Sequence, residues 1–166
     1  MKRFTTLGAL LAASLITGAA YAGPIGFSGG MSGDQEIAPP GVVTDTTGKC
    51  SVKFNNDLSA ADFKIDVNAG VGITQAHFHC AVAGVNGPVV AFLFPFNAGG
   101  VNVNGTLNTG TLTNANIIAT TGADACGTPV VNNIASLAAA MQNGRIYCNA
   151  HSLVNPNGEA RGQLLK

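Results

Sequence analysis

The chain has 166 residues, of which only 10% are charged; eight Lys+Arg balance eight Asp+Glu, and there are 22 glycines and no tryptophan. Charge this sparse offers no basic patch for nucleic acid, and apart from a short N-terminal run no stretch is apolar for long enough to span a membrane. No paired carboxylates and no serine in an elbow motif stand out, so hydrolase chemistry has no support.

Lys2 and Arg3, the mostly apolar run from Leu7 to Ile16, and the small-x-small site Ala20-Tyr21-Ala22 follow one another in the order of a secretory signal peptide over residues 1–22. No cysteine follows the cleavage point, so no lipoprotein anchor is expected. One exported domain, residues 23–166, would remain, long enough for a real core and about two charges negative once Lys2 and Arg3 are lost. Its expected location is the periplasm or the outside of the cell. Four cysteines, Cys50, Cys80, Cys126 and Cys148, read as two disulfides in an oxidising compartment. Three pairings are possible.

Turn signals recur along the domain: Pro39-Pro40-Gly41, Asn55-Asn56-Asp57, Gly70, Gly84, Asn86-Gly87-Pro88, Gly99-Gly100, Asn143-Gly144 and Asn155-Pro156-Asn157-Gly158. Short strands fit between them, the pattern of an all-β sandwich or barrel. In residues 49–55, Cys50, Val52 and Phe54 take one face, and in residues 62–68 Phe63, Ile65 and Val67 do the same. Around residues 75–80 the apolar face is Ala76, Phe78 and Cys80, and the polar face is Gln75, His77 and His79. Residues 88–94 are apolar on both faces, as in a central strand, and residues 106–112 are a further strand. Ile134, Leu137, Ala138 and Met141 share a helical stripe, with Asn132 or Asn133 as cap and Gly144 as stop. Residues 145–151 alternate again: Ile146, Cys148 and Ala150 against Tyr147, Asn149 and His151.

The three histidines are the only ones in the chain. His77 and His79 lie two apart in a strand, so both leave one face, with Cα atoms about 6.6 Å apart. If the strand holding His151 is a neighbour in the same sheet, all three imidazoles lie on its outer face and could hold one metal ion. Neutral imidazole suits copper or zinc. The plain alternative is three unrelated surface histidines. Parity puts Cys50 and Cys148 on core-facing positions, which favours a Cys50–Cys148 bridge and leaves Cys80 for Cys126. His79 and Cys80 point to opposite faces, so a mixed histidine–thiolate site is disfavoured.

Four stretches, in order, resemble the CHRD domain family, the module repeated in chordin and found singly in exported bacterial proteins. They are Gly33-Asp-Gln-Glu-Ile-Ala-Pro-Pro40; Ala76-His-Phe-His79; Gly84-Val-Asn-Gly-Pro-Val-Val90; and Tyr147-Cys-Asn-Ala-His151 running on to Gln163-Leu164. The resemblance implies an extracytoplasmic antiparallel β-sandwich, immunoglobulin-like or a related Greek key. It also implies that the three histidines belong to one pattern, in a binding module of poorly defined biochemistry. Cys50 and Cys148 depart from the family pattern, which supports pairing them. Glu36, Glu159 and Arg161 also fall in the resembling stretches, with the expected role of an ion pair tying the last strand to the Glu36 turn.

Three functions compete. The first is a non-enzymatic exported binding module, holding one copper or zinc ion at His77, His79 and His151, with an unidentified extracytoplasmic protein or the ion itself as partner. The second is a mononuclear copper enzyme with superoxide dismutase-like chemistry; a dinuclear site is excluded because no fourth histidine exists. The third is a structural or adhesive surface protein without metal.

Overall fold

The computed structural model describes residues 24–37 and 41–166. The expected signal peptide and the Pro39-Pro40 turn lie outside the described residues. The strands are β1 (Gly26–Ser32), β2 (Thr47–Phe54), β3 (Ala60–Cys80), β4 (Val89–Phe94), β5 (Val101–Thr113), β6 (Ile146–Ser152) and β7 (Ala160–Gln163), with one helix, α1 (Ile134–Gln142). Every pairing between them is antiparallel. No helix among the described residues is long and apolar enough to cross a membrane.

The all-β, antiparallel expectation holds, but two separate sheets do not form. The order β2-β1-β7-β6-β3 returns to β2 through a β2–β3 pairing, so five strands close a ring. β4 and β5 pair with β3 outside that ring. The physical reason is β3 itself. The sequence reads Gly70 as a turn between two strands, yet the chain runs through it as one strand of 21 residues. Ala69 and Gly72 take positive φ (52° and 62°), and the ladder to β5 shifts register on either side of Gly70. The strand therefore bends at a bulge instead of reversing. Its first half pairs with β2 and β5, and its second half with β6 and β4. A single strand thus turns the corner that a sandwich would assign to a loop.

The sequence does not reveal β1, because GFSGGMS lacks alternation. Its glycines are needed for closure: a Cβ on Gly29 would collide with the Gln163 carbonyl, and one on Gly162 with the Gly30 carbonyl. β1 and β7 approach this closely because a glycine on one strand lets the backbone of the other in.

The core holds Phe54, Ile65, Phe78, Leu93, Ile146 and Leu164, all essentially inaccessible. Phe27 meets Phe54 edge to face at 6.0 Å, a favoured aromatic geometry. Helix α1 adds Ile134, Leu137 and Met141, the expected stripe. Its start is fixed by a capping box in which Asn133 Oδ1 accepts from the Ser136 amide at 2.8 Å. Gly144, at φ 64°, follows its end.

Cys80 and Cys126 form the expected disulfide, joining the end of β3 to the loop before α1. The expected Cys50–Cys148 bridge is not made. Both are buried thiols that face one another in hydrogen-bond contact, and the Cys148 thiol is pushed well up, first by burial and then by Cys50. Parity correctly sent both side chains inward; proximity there is met by a thiol contact in place of a bond.

Candidate metal centre

The β3–β6 ladder pairs Gln75 with His151, His77 with Asn149 and His79 with Tyr147. Directly paired residues share a sheet face, so His77, His79 and His151 emerge together, opposite Ala76, Phe78 and Cys80. His151 sits one diagonal step from His77, within reach of a long side chain. One ring nitrogen from each histidine lies within 4.8 Å of the others.

The face is not open to solvent, as an outer sheet face would be. His77 is 3% and His151 8% exposed, and His79 is partly buried. Phe92 of β4 sets its ring edge-on to His77 at 4.6 Å, and the segments around Gly87 and Pro156 border the other two rings.

Hydrogen bonds fix the imidazole tautomers. His79 Nδ1 donates to the Gly87 carbonyl at 2.9 Å, and His151 Nδ1 donates to the Pro156 carbonyl at 2.9 Å. A carbonyl only accepts, so in both rings the proton is on Nδ1 and Nε2 carries a lone pair. His77 Nδ1 lies 3.2 Å from His151 Nε2 and is the donor of that pair. The Nε2 atoms of His77 and His79 are buried with no hydrogen-bond partner. Burial pushes the His77 pKa down to about 3, helped by the two neighbouring imidazoles. It pushes His79 down to about 4 against the pull of the Gly87 carbonyl, and lowers His151 against that of Pro156. All three rings are neutral at pH 7, the state that binds metals.

Buried lone pairs without donors, on rings held from behind by carbonyls, fit a first-row divalent ion. His79 Nε2 and His151 Nε2 are the fixed donors, and His77 can offer either nitrogen by changing tautomer. Three protein ligands leave a position for water or another molecule.

The rings are buttressed by Tyr147, which the sequence did not single out, and by Arg161, for which it gave a different role. Tyr147 stacks on His79 with centroids 4.9 Å apart and planes 7° from parallel. Arg161 lies 3.4 Å from the centre of the same Tyr147 ring, on its other side because β6 lies between β3 and β7. The guanidinium donates to the Val85 carbonyl at 2.8 Å and to Asn86 Oδ1 at 3.1 Å. The next residue, Gly87, donates its amide to the Tyr147 hydroxyl and accepts from His79. Arg161 therefore holds the loop that fixes His79.

The expected Glu36–Glu159–Arg161 ion pair is absent; the single salt bridge among the described residues is Lys64–Asp66. Arg161 is turned to Tyr147 and the loop. Glu36 instead accepts from Asn149 Nδ2 at 2.6 Å. Its pKa is raised to about 7 because burial outweighs the attraction of Arg161 and the Asn149 hydrogen bond. Glu159 binds Thr44, Ser152 and Asn155, all neutral. Two-residue spacing placed Glu159 and Arg161 on one face, but Glu159 precedes β7 and its side chain follows the turn. The signal for Tyr147 and Asn149 was present in the polar alternation that includes His151; their roles needed the register.

No curated protein and no solved structure matches the chain. A family model for the CHRD domain matches residues 27–164, most of the chain, including all three histidines, both strands that carry them and the Arg161 support. The chain belongs to the CHRD domain family.

Proposed function

We propose that this protein is an exported, non-enzymatic binding module that holds one copper or zinc ion through His77, His79 and His151. The observation that carries the reading is the pair of buried, partnerless Nε2 atoms on His77 and His79, beside a His151 ring oriented by a carbonyl. Buried polar groups are seldom left without a partner, and an ion between the three rings would supply one to both atoms. The Cys80–Cys126 bond supports an oxidising compartment, in keeping with the signal peptide pattern at residues 1–22. Three neutral nitrogens favour Cu(II) or Zn(II) over hard cations, which take oxygen ligands.

A second reading has one observation in its favour. The His77–His151 hydrogen bond satisfies two ring nitrogens without any ion, as a purely structural polar cluster would. Calorimetric titration of Cu(II) and Zn(II) into stripped wild type and His151→Ala separates the two. The metal reading expects one equivalent bound, with affinity lowered about tenfold or more in the variant. No binding, or equal binding by both proteins, would leave the structural cluster. Redox turnover by the copper-loaded form would overturn the non-enzymatic part alone.

A further inference from the structure

We propose that a second site, the cleft beside Glu159, binds an organic cation: a primary ammonium group carried on an aliphatic stem. The cleft has a volume of about 640 Å³, within the range of small-molecule sites. It forms where the β3 bend (69–71), the start of β5 (102–104), the segment 43–46 and the turn after β6 meet.

Its chemistry is one-sided. Glu159 lies in its wall and is 5% exposed. The carboxylate accepts from Thr44 Oγ1 on Oε1, and from Ser152 Oγ (2.8 Å) and Asn155 Nδ2 (2.5 Å) on Oε2. Burial alone would raise its pKa, but these donors outweigh burial and keep it ionised. Every donor is neutral, so the charge itself is uncompensated; among the described residues no Lys, Arg or His lines the cleft. Asp45 adds a second, exposed carboxylate. A buried ion without a counter-charge is costly, and a cation from solution would offset that cost.

The cleft also selects among cations. A carboxylate offers about four acceptor positions, and Thr46 joins Thr44, Ser152 and Asn155 as a donor to Glu159, so what the cleft lacks is a positive charge, not a further neutral donor. That suits a monovalent ammonium group facing the carboxylate. A calcium ion would need six to eight oxygens, whereas these oxygens are already held by hydrogen bonds. Val43, Val71 and Val154 border the cleft with exposures of 97%, 66% and 80%, an apolar lip that would cover methylene groups and serve a bare ion in no way.

The test is an NMR titration of the mature protein in EDTA with pentylammonium, pentan-1-ol and, without EDTA, calcium chloride. Pentylammonium is expected to give saturable shifts at the Thr44, Val71 and Asn155 amides, and pentan-1-ol none. Affinity should fall about threefold in Asp45→Asn and about tenfold in Glu159→Gln, the exposed charge contributing less than the buried one. Equal binding of pentan-1-ol would overturn the proposal in favour of an apolar groove. Calcium saturating the same amides in preference to pentylammonium would overturn it in favour of an inorganic cation site. Should Glu159→Gln fail to fold, Asp45→Asn and Val154→Asn decide, both being changes at exposed positions; unchanged affinity in both would overturn the proposal. None of these outcomes depends on metal binding at the histidines.

Discussion

Acidification of the metal-free protein should close the stability gap between wild type and His77→Gln. His77 has a pKa of about 3 in the folded chain against an ordinary value of 6.5. Between those values the unfolded chain binds a proton that the folded chain refuses, so stability rises with pH and is lost as pH falls. The contribution is fully present above about pH 6.5. From about pH 7.5 to about pH 5 it falls by roughly 1.5 units of pH at about 1.36 kcal/mol each, or about 2 kcal/mol. Glu36 works in the opposite sense. Its pKa is raised to about 7 from 4.5, so its folded form holds a proton and gains stability as pH falls through that window. Glu36 is common to both proteins, and its effect cancels in the comparison. Urea denaturation in EDTA at several pH values measures the gap. A stability difference that stays constant from about pH 7.5 to about pH 5 would refute the burial argument, because it would mean that His77 protonates in the folded state as easily as in the unfolded one.

Other outcomes follow from the surrounding contacts. Arg161→Met, which keeps bulk but loses both loop hydrogen bonds and the Tyr147 contact, should weaken metal affinity with the three histidines intact, as titration would show; unaltered affinity would remove the loop from the account. Reducing Cys80–Cys126, which are 46 residues apart in sequence, should cost about 4 kcal/mol on the chain-entropy model, read from denaturation midpoints with and without reductant. The thiols of Cys50 and Cys148 should resist a thiol reagent in the native protein and react, two per chain, once it is denatured; a count of zero after denaturation would mean that the second bridge forms.

Much of this was legible in the sequence because side-chain parity is a local property. The alternation of Cys50, Val52 and Phe54, an asparagine cap at 132 or 133 and the α1 stripe needed no partner to be read. The histidines were legible as a set of three, and parity placed them opposite Ala76 and Phe78. Their burial was not legible, since the covering groups, Phe92, Gly87 and Pro156, come from elsewhere in the chain and act through register and backbone atoms. β3 was missed as a single strand because a glycine that marks a turn also permits a bulge, and only the pairing on each side distinguishes the two. The Glu159–Arg161 pairing failed for a related reason: spacing of two specifies a face only while the chain remains extended, and Glu159 lies outside β7.

X-ray absorption spectroscopy on the zinc-loaded protein tests whether the three imidazoles share an ion. The expectation is one ion per chain, with three protein imidazole nitrogens at about 2.0–2.1 Å and one lighter ligand completing a four-coordinate shell. A spectrum of six oxygen neighbours, or one unchanged when His79 and His151 are both replaced by alanine, would contradict it.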